Sequence, residues 1–149
     1  MRTTLLFIHI LAAGAWFGTN VVQIAINPRL RTYTPEVATW WLRRLVAFGT
    51  RIYSPAAVIL LLTGIFLVID SSFYEFSDTF VSIGFLTVIV AAALGILVFG
   101  PKGEAAAAAF ESGDEAELDR NLGTLMRFGI LDTGLVVITI LAMTAKWGA

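Results

Sequence analysis

Residues 79–101 read TFVSIGFLTVIVAAALGILVFGP, 23 positions without a charged side chain between Asp78 and Lys102. A helix rises about 1.5 Å per residue, so roughly 20 mostly apolar residues cross the ~30 Å hydrocarbon layer of a bilayer. The segment is apolar on all sides, as a membrane-crossing helix is and a half-buried surface helix is not. Three further windows have the same character. Twenty-six uncharged residues separate Arg2 from Arg29, 18 separate Arg51 from Asp70, and the stretch from Arg127 to Lys146 is broken only by Asp132. The expectation is an all-α membrane protein: four transmembrane helices, about 4–26, 52–70, 79–100 and 123–146, in one antiparallel bundle.

Composition agrees. The 149 residues, enough for a single domain, are 58% hydrophobic and 14% charged, with a mean hydropathy of +0.84; soluble domains are about 45–50% apolar and about 25% charged. Without cysteine there is no disulfide framework, thiolate metal site or redox thiol. A net charge of −1 offers nucleic acid no electrostatic footing. The expected surroundings are membrane lipid, with a homodimer or a larger membrane complex as partners. Arg2, the apolar run behind it and Ala13-Gly14-Ala15 imitate a signal peptide, but the apolar stretch continues to Ile26, which predicts a retained spanning helix.

Cytoplasmic connections carry the excess of Lys and Arg. Arg29, Arg31, Arg43, Arg44 and Arg51 in loop one, with Lys102, Arg120 and Arg127 in loop three, account for eight of the ten basic residues. Arg2 and Lys146 fall on the opposite side. This predicts a multi-pass protein of the cytoplasmic (plasma) membrane with both termini outside. Trp40 and Trp41 beside Arg43 and Arg44, and Phe73, Tyr74, Phe76 and Trp147 at the other face, suit the interfacial preference of aromatic rings.

The connections have their own signals. Asn27-Pro28 reads as a stop for helix one. Pro35 opens an interfacial helix, about 36–50, leading into helix two. Gly100-Pro101-Lys102-Gly103 reads as a breaker cluster, and Ser112 with Glu115 matches a capping box for a helix running through Leu118 and Leu122 into helix four. The acidic stretch Asp114 to Asp119 reads as a solvated face.

Chemistry concentrates on two helical stripes. Taking His9 as origin at about 100° per residue, Trp16, Asn20, Gln23 and Asn27 all fall within about 40° of it. An unpaired polar group in hydrocarbon costs several kcal/mol, so this stripe should face the bundle interior, while Gly14 and Gly18 on the other side permit close approach of a neighbouring helix. His9, the one histidine, is either a hydrogen-bonded structural residue or a haem-iron ligand. In helix four, Asp132, Thr139, Met143 and Lys146 share a face, and Asp132 lies roughly 21 Å along the helix from Lys146, at a depth comparable to Asn20. Arg51 is a second candidate to reach Asp132. A structural Asp–Arg or Asp–Asn contact and a proton-transfer or substrate-orienting carboxylate both remain open. Met143 is a packing residue or, with His9, half of a haem-ligating pair; a second His9 from another protomer would serve equally. Nothing resembles a phosphate loop, a nucleophilic triad or a clustered metal site, and one histidine with three methionines is a poor copper set.

The run FIHILAAGAWFG (residues 7–18), the segment RIYSPAAVILLLTGIFLVI (51–69) and the ending LDTGLVVITILAMTAKWGA (131–149) together resemble small four-helix membrane proteins of unassigned function. These are related to the CopD copper-resistance domain and the HemJ-type protoporphyrinogen oxidases. The resemblance implies a four-helix bundle and, through the HemJ branch, a haem b ligated at His9 and bordered by Trp16. Three functions follow as expectations: a haem-binding redox protein using His9, Trp16 and Met143; a non-catalytic accessory or assembly subunit of a larger membrane complex; or a proton-linked transporter centred on Asp132 within the polar interior of Asn20, Gln23 and Arg51.

Overall fold

The computed structural model describes every residue from Met1 to Ala149. All regular structure is helical: α1 Arg2–Ile26, a 3₁₀ segment Asn27–Thr32, α2 Pro35–Phe48, α3 Ser54–Ile69, α4 Thr79–Leu94, α5 Gly100–Ser112 and α6 Glu115–Ala145. These join into four rods, Arg2–Thr32, Pro35–Ile69, Thr79–Ser112 and Glu115–Ala145, each long and apolar enough to cross a membrane. Short connections between consecutive rods make them antiparallel.

Two junctions differ from the sequence-based expectation. The interfacial helix runs without a break into α3, and the breaker cluster Gly100–Gly103 does not break anything. Both rods continue through π-type turns, Gly49–Tyr53 and Gly95–Phe99. In each, a backbone N–H reaches five residues back: Ser54 to the Gly49 carbonyl and Gly100 to the Gly95 carbonyl. Each turn ends just before a proline, Pro55 or Pro101. A proline inside a helix has no N–H and its ring collides with the carbonyl four residues back; the wider π turn makes room for it without ending the rod. Ser54 adds a hydroxyl bond to the Gly49 carbonyl at 2.8 Å.

The first and fourth rods behave as expected in outline. The α-helical part of rod one ends at Ile26, and Pro28 lies in the first turn of the 3₁₀ segment. The cap of α6 is Asp114, not Ser112. Asp114 accepts from the Glu117 N–H at 3.0 Å, whereas Ser112 donates back to the Ala109 carbonyl. Gly113, at φ +71°, supplies the left-handed turn that Ser112 cannot, so the cap falls one residue after it.

α1 lies between α3 and α6, and α6 in turn packs on α4. Within rods two and three, α3 and α4 meet sparsely. Beyond the ring, α2 and α5 cross each other and the start of α6, enclosing Leu30, Ala38, Leu42, Ala106, Ala107, Leu118 and Leu125. Gly103 makes that crossing close: a Cβ there would stand 2.7 Å from Val46 Cγ2. Only 25 of 149 residues are buried, and Phe7, Ile10, Leu11, Leu86, Ile89, Ile96 and Leu97 point outward. Such an apolar exterior is what a hydrocarbon solvent accommodates and water does not.

Candidate functional site

Every polar residue on the α1 stripe finds a partner on another element. His9 Nδ1 lies 2.7 Å from Thr63 Oγ1 on α3. Trp16 Nε1 and Asn20 Nδ2 both donate to Asp132 Oδ2 on α6, at 3.4 and 2.8 Å. Tyr53 donates to Asn20 Oδ1 and accepts from Gln23 Nε2, each at 2.5 Å. Asn27 accepts from Trp41 at 2.9 Å. The 3.6-residue spacing therefore does more than orient α1: it sets a ladder of polar contacts along the bundle axis.

At the middle of that ladder the donors run in one direction, from Gln23 to Tyr53, from Tyr53 to Asn20, and from Asn20 to Asp132. The chain of dipoles points at one carboxylate oxygen. Trp16 braces it from the side, its ring edge-on to Tyr53 with centroids 5.4 Å apart. Arg51 takes no part: it is exposed, and the ion pairs of the chain are Arg31 with Glu115 and Asp119, Arg43 with Glu111, and Arg120 with Glu117. The π turn rotates the chain between Arg51 and α3, so Tyr53 faces Asn20 instead. Asp132 is 4% exposed, and its second oxygen, Oδ1, is buried without any hydrogen-bond partner.

Asp132 borders a cavity of about 580 Å³. Trp16, Asn20, Gln23 and Tyr53 share that border, and the remaining lining is mainly aliphatic, including Leu42, Leu61, Val88 and Leu125. Both π turns open onto it through Gly49, Thr50, Tyr53, Gly95, Ile96 and Phe99. Along α1 the cavity extends from Trp16 to Asn27, about 16 Å of helical rise. No Lys, Arg or His lines it. A large apolar cavity with a few convergent polar groups is where a small molecule is expected to bind.

His9 and Met143 stand apart from this cavity. Thr63 has one hydroxyl proton, and the Ile59 carbonyl takes it at 2.6 Å. Its oxygen then accepts from His9 Nδ1–H, leaving Nε2 as the bare nitrogen. The imidazole rests on α3, with its Cε1 atom 3.6 Å from where a Gly64 Cβ would be. Met143 is seated on α4 instead, its terminal methyl filling the notch at Gly84. Of the three residues offered to a haem, only Trp16 faces the large cavity, and that cavity has no imidazole for iron. The residues present do not fit a haem there. Nor does any group of three or more His, Asp or Glu side chains converge as a metal site.

The outer part of the α6 stripe is structural. Thr139 bonds to Thr87 of α4 at 2.7 Å, and the Lys146 ammonium lies over Tyr74 and Phe80 at 5.0 and 4.8 Å. The sequence reading missed Tyr53, Thr63 and Thr87. Thr63 and Thr87 carry no distinguishing signal within apolar runs. Tyr53 does: Gly49-x₅-Pro55 and Gly95-x₅-Pro101 repeat one spacing in rods two and three, marking the two π turns at the cavity. A scan of protein-family models, a search of curated proteins and a search of solved structures each find no match. The likeness to CopD and HemJ proteins thus rests on the quoted segments alone.

Proposed function

We propose that the chain is a four-pass protein of the cytoplasmic membrane, termini outside, that binds a small molecule inside its bundle with Asp132 as the polar anchor. The observation that carries this reading is Asp132, the one acidic residue bordering the 580 Å³ cavity, whose buried Oδ1 has no partner within the chain. Burying a polar atom without a partner costs about 1–3 kcal/mol, and a ligand that donates to Oδ1 removes that cost. The reading is closest to the expectation of a transporter centred on Asp132, and it leaves His9 a structural role. Loops one and three, with their eight basic residues, support the orientation.

The site has two functional parts. Asp132 Oδ1 would receive a hydrogen-bond donor, while Gln23, Tyr53 and Asn20 act as positioning residues that fix Oδ2 and so aim Oδ1. Asp132→Asn tests this in purified protein in mild detergent, by thermal stability across a panel of amines and alcohols. A ligand at 100 times its dissociation constant adds about 2.7 kcal/mol, a clear rise in Tm. The expected result is a panel member that stabilises the parent and not Asp132→Asn. Equal stabilisation of both proteins by every active compound would refute the anchor.

A further inference from the structure

We infer that the ligand of this cavity is a single-chain lipophilic amine that reaches it sideways from the bilayer, between rods two and three; the inference rests on Asp132 being the anchor of a binding site. Three observations converge on it. The first is charge. Oδ2 is satisfied by neutral donors, Oδ1 by nothing, and no cation lines the cavity. No countercharge for an ionised Asp132 stands in the cavity lining. An ammonium group supplies both the missing charge and the missing donor, and a charge-assisted bond of this kind is about twice as strong as a neutral one.

The second observation is the lining. More than half of it is hydrophobic, with Leu42, Leu45, Val46, Leu61, Val88 and Leu125 forming a continuous apolar share of the wall, which suits a hydrocarbon chain. The third is the direction of access. Six lining residues are exposed on the outer surface of the bundle; apart from Ile24 on rod one, they form two stripes on rods two and three. Thr50, Ser54 and Val58 recur every four residues on rod two, and Ala92 and Ile96 do so on rod three. Val58 is 54% and Ile96 74% exposed, although both border the cavity. The mouth therefore lies between α3 and α4, which meet far more sparsely than α2 and α5, the other parts of the same two rods.

The end of the bundle beyond Trp16 is closed, and at the other end a smaller hollow shares Asn27, Leu125 and Met126 with the cavity. Ala12, Ala56, Ala91 and Val136 pack around Trp16 beyond Asp132. At the opposite end Leu42, Leu45, Phe99 and Gly103 form a floor, and Arg31 ties rod one to Glu115 and Asp119 of rod four. The mouth is also where the two π turns face each other. Wide, proline-bordered turns are points where a rod bends.

The test uses the full chain in lipid nanodiscs with Trp40, Trp41 and Trp147 replaced by Phe, leaving Trp16 as the emitter at the cavity. The probe is an alkylamine brominated at its chain terminus, with the matching brominated alcohol as neutral control; bromine quenches on contact. The expected result is saturable quenching with roughly tenfold tighter binding of the amine than the alcohol, a preference lost in Asp132→Asn. Val58→Trp and Ile96→Trp, each read in the same background with Phe at Trp16 as the blank, narrow the mouth at exposed positions where folding is not at stake. They should slow quenching about fivefold or more while the plateau is retained. An amine preference dependent on Asp132 with unaltered rates in both mouth variants overturns the lateral route and leaves the anchor standing. Equal affinity for amine and alcohol overturns the amine assignment. No saturable quenching by either probe overturns this inference and the proposed function together.

Discussion

Tyr53→Phe isolates the hydrogen-bond ladder from packing. The substitution removes one oxygen and keeps the ring, so the edge-on contact with Trp16 at 5.4 Å persists. What disappears is the donation to Asn20 and the acceptance from Gln23, both at 2.5 Å. Hydrogen bonds between membrane helices average about 0.6 kcal/mol with a maximum near 1.7. Two of them give an expected loss of roughly 1–3 kcal/mol. Gln23 and Asn20 both border the cavity, where they have room to find other partners, which favours the lower half of that range. Tyr53→Ala would add the loss of a buried aromatic ring, about 3–5 kcal/mol in a core, and would blur the comparison. The assay is reversible unfolding in mixed detergent micelles for Tyr53→Phe, Asn20→Ala and the pair. Residues in one network couple by about 0.5–3 kcal/mol, so the double variant should lose less than the two singles together. A Tyr53→Phe change below about 0.3 kcal/mol, or strict additivity within the error usual for independent sites, would refute the ladder as an energetic unit.

Two further outcomes are expected. Gly84→Ala and Gly103→Ala both crowd a neighbour, yet they should differ: Met143 at Gly84 has a flexible terminus that can swing away, whereas Val46 at Gly103 is stiff at χ1. Overpacking costs about 1–3 kcal/mol, so unfolding measurements should place Gly84→Ala near or below the lower bound and Gly103→Ala near the upper, the latter rescued by Val46→Ala; equal costs would contradict the reading of either contact. Visible spectra of protein expressed with ample haem, before and after dithionite, should lack a Soret band that His9→Ala removes, while His9→Ala lowers thermal stability through the lost Thr63 bond. A His9-dependent Soret band would return His9 to the role of iron ligand.

The parts of this architecture that a sequence discloses are those governed by periodic, one-dimensional rules. Charge-free windows mark the four rods because length and hydropathy are properties of the chain itself. The α1 stripe was legible for the same reason, and its depth placed Asn20 opposite Asp132, where the two now bond at 2.8 Å. Arg51 illustrates the opposite case. Its charge and position made it a plausible partner, but the π turn beginning at Gly49 changes the rotation of everything before α3. A wheel drawn at 3.6 residues per turn cannot follow that change. Gly100–Gly103 misled in the same way, since proline and glycine punctuate a helix in solution but a π turn absorbs them inside a packed rod. The helpful signal was the repeated Gly-x₅-Pro spacing, visible only when rods two and three are compared with each other.

Asp132 is costlier than a structural role requires. An asparagine at 132 would accept from Asn20 and Trp16 as well, with no charge to desolvate. Instead the chain retains a carboxyl whose Oδ1 has no partner, beside a cavity whose lining atoms forgo packing contacts, between two turns that each give up regular helical bonding. Each feature by itself lowers stability. Their separate occurrence along a chain would need no common cause. Their convergence on one place does, because disfavoured features that gather where they can serve a single ligand are how functional sites depart from the rules that govern the rest of a fold. Asp132→Asn should accordingly be no less stable than the parent in the absence of ligand, and it should differ from the parent only in what it binds.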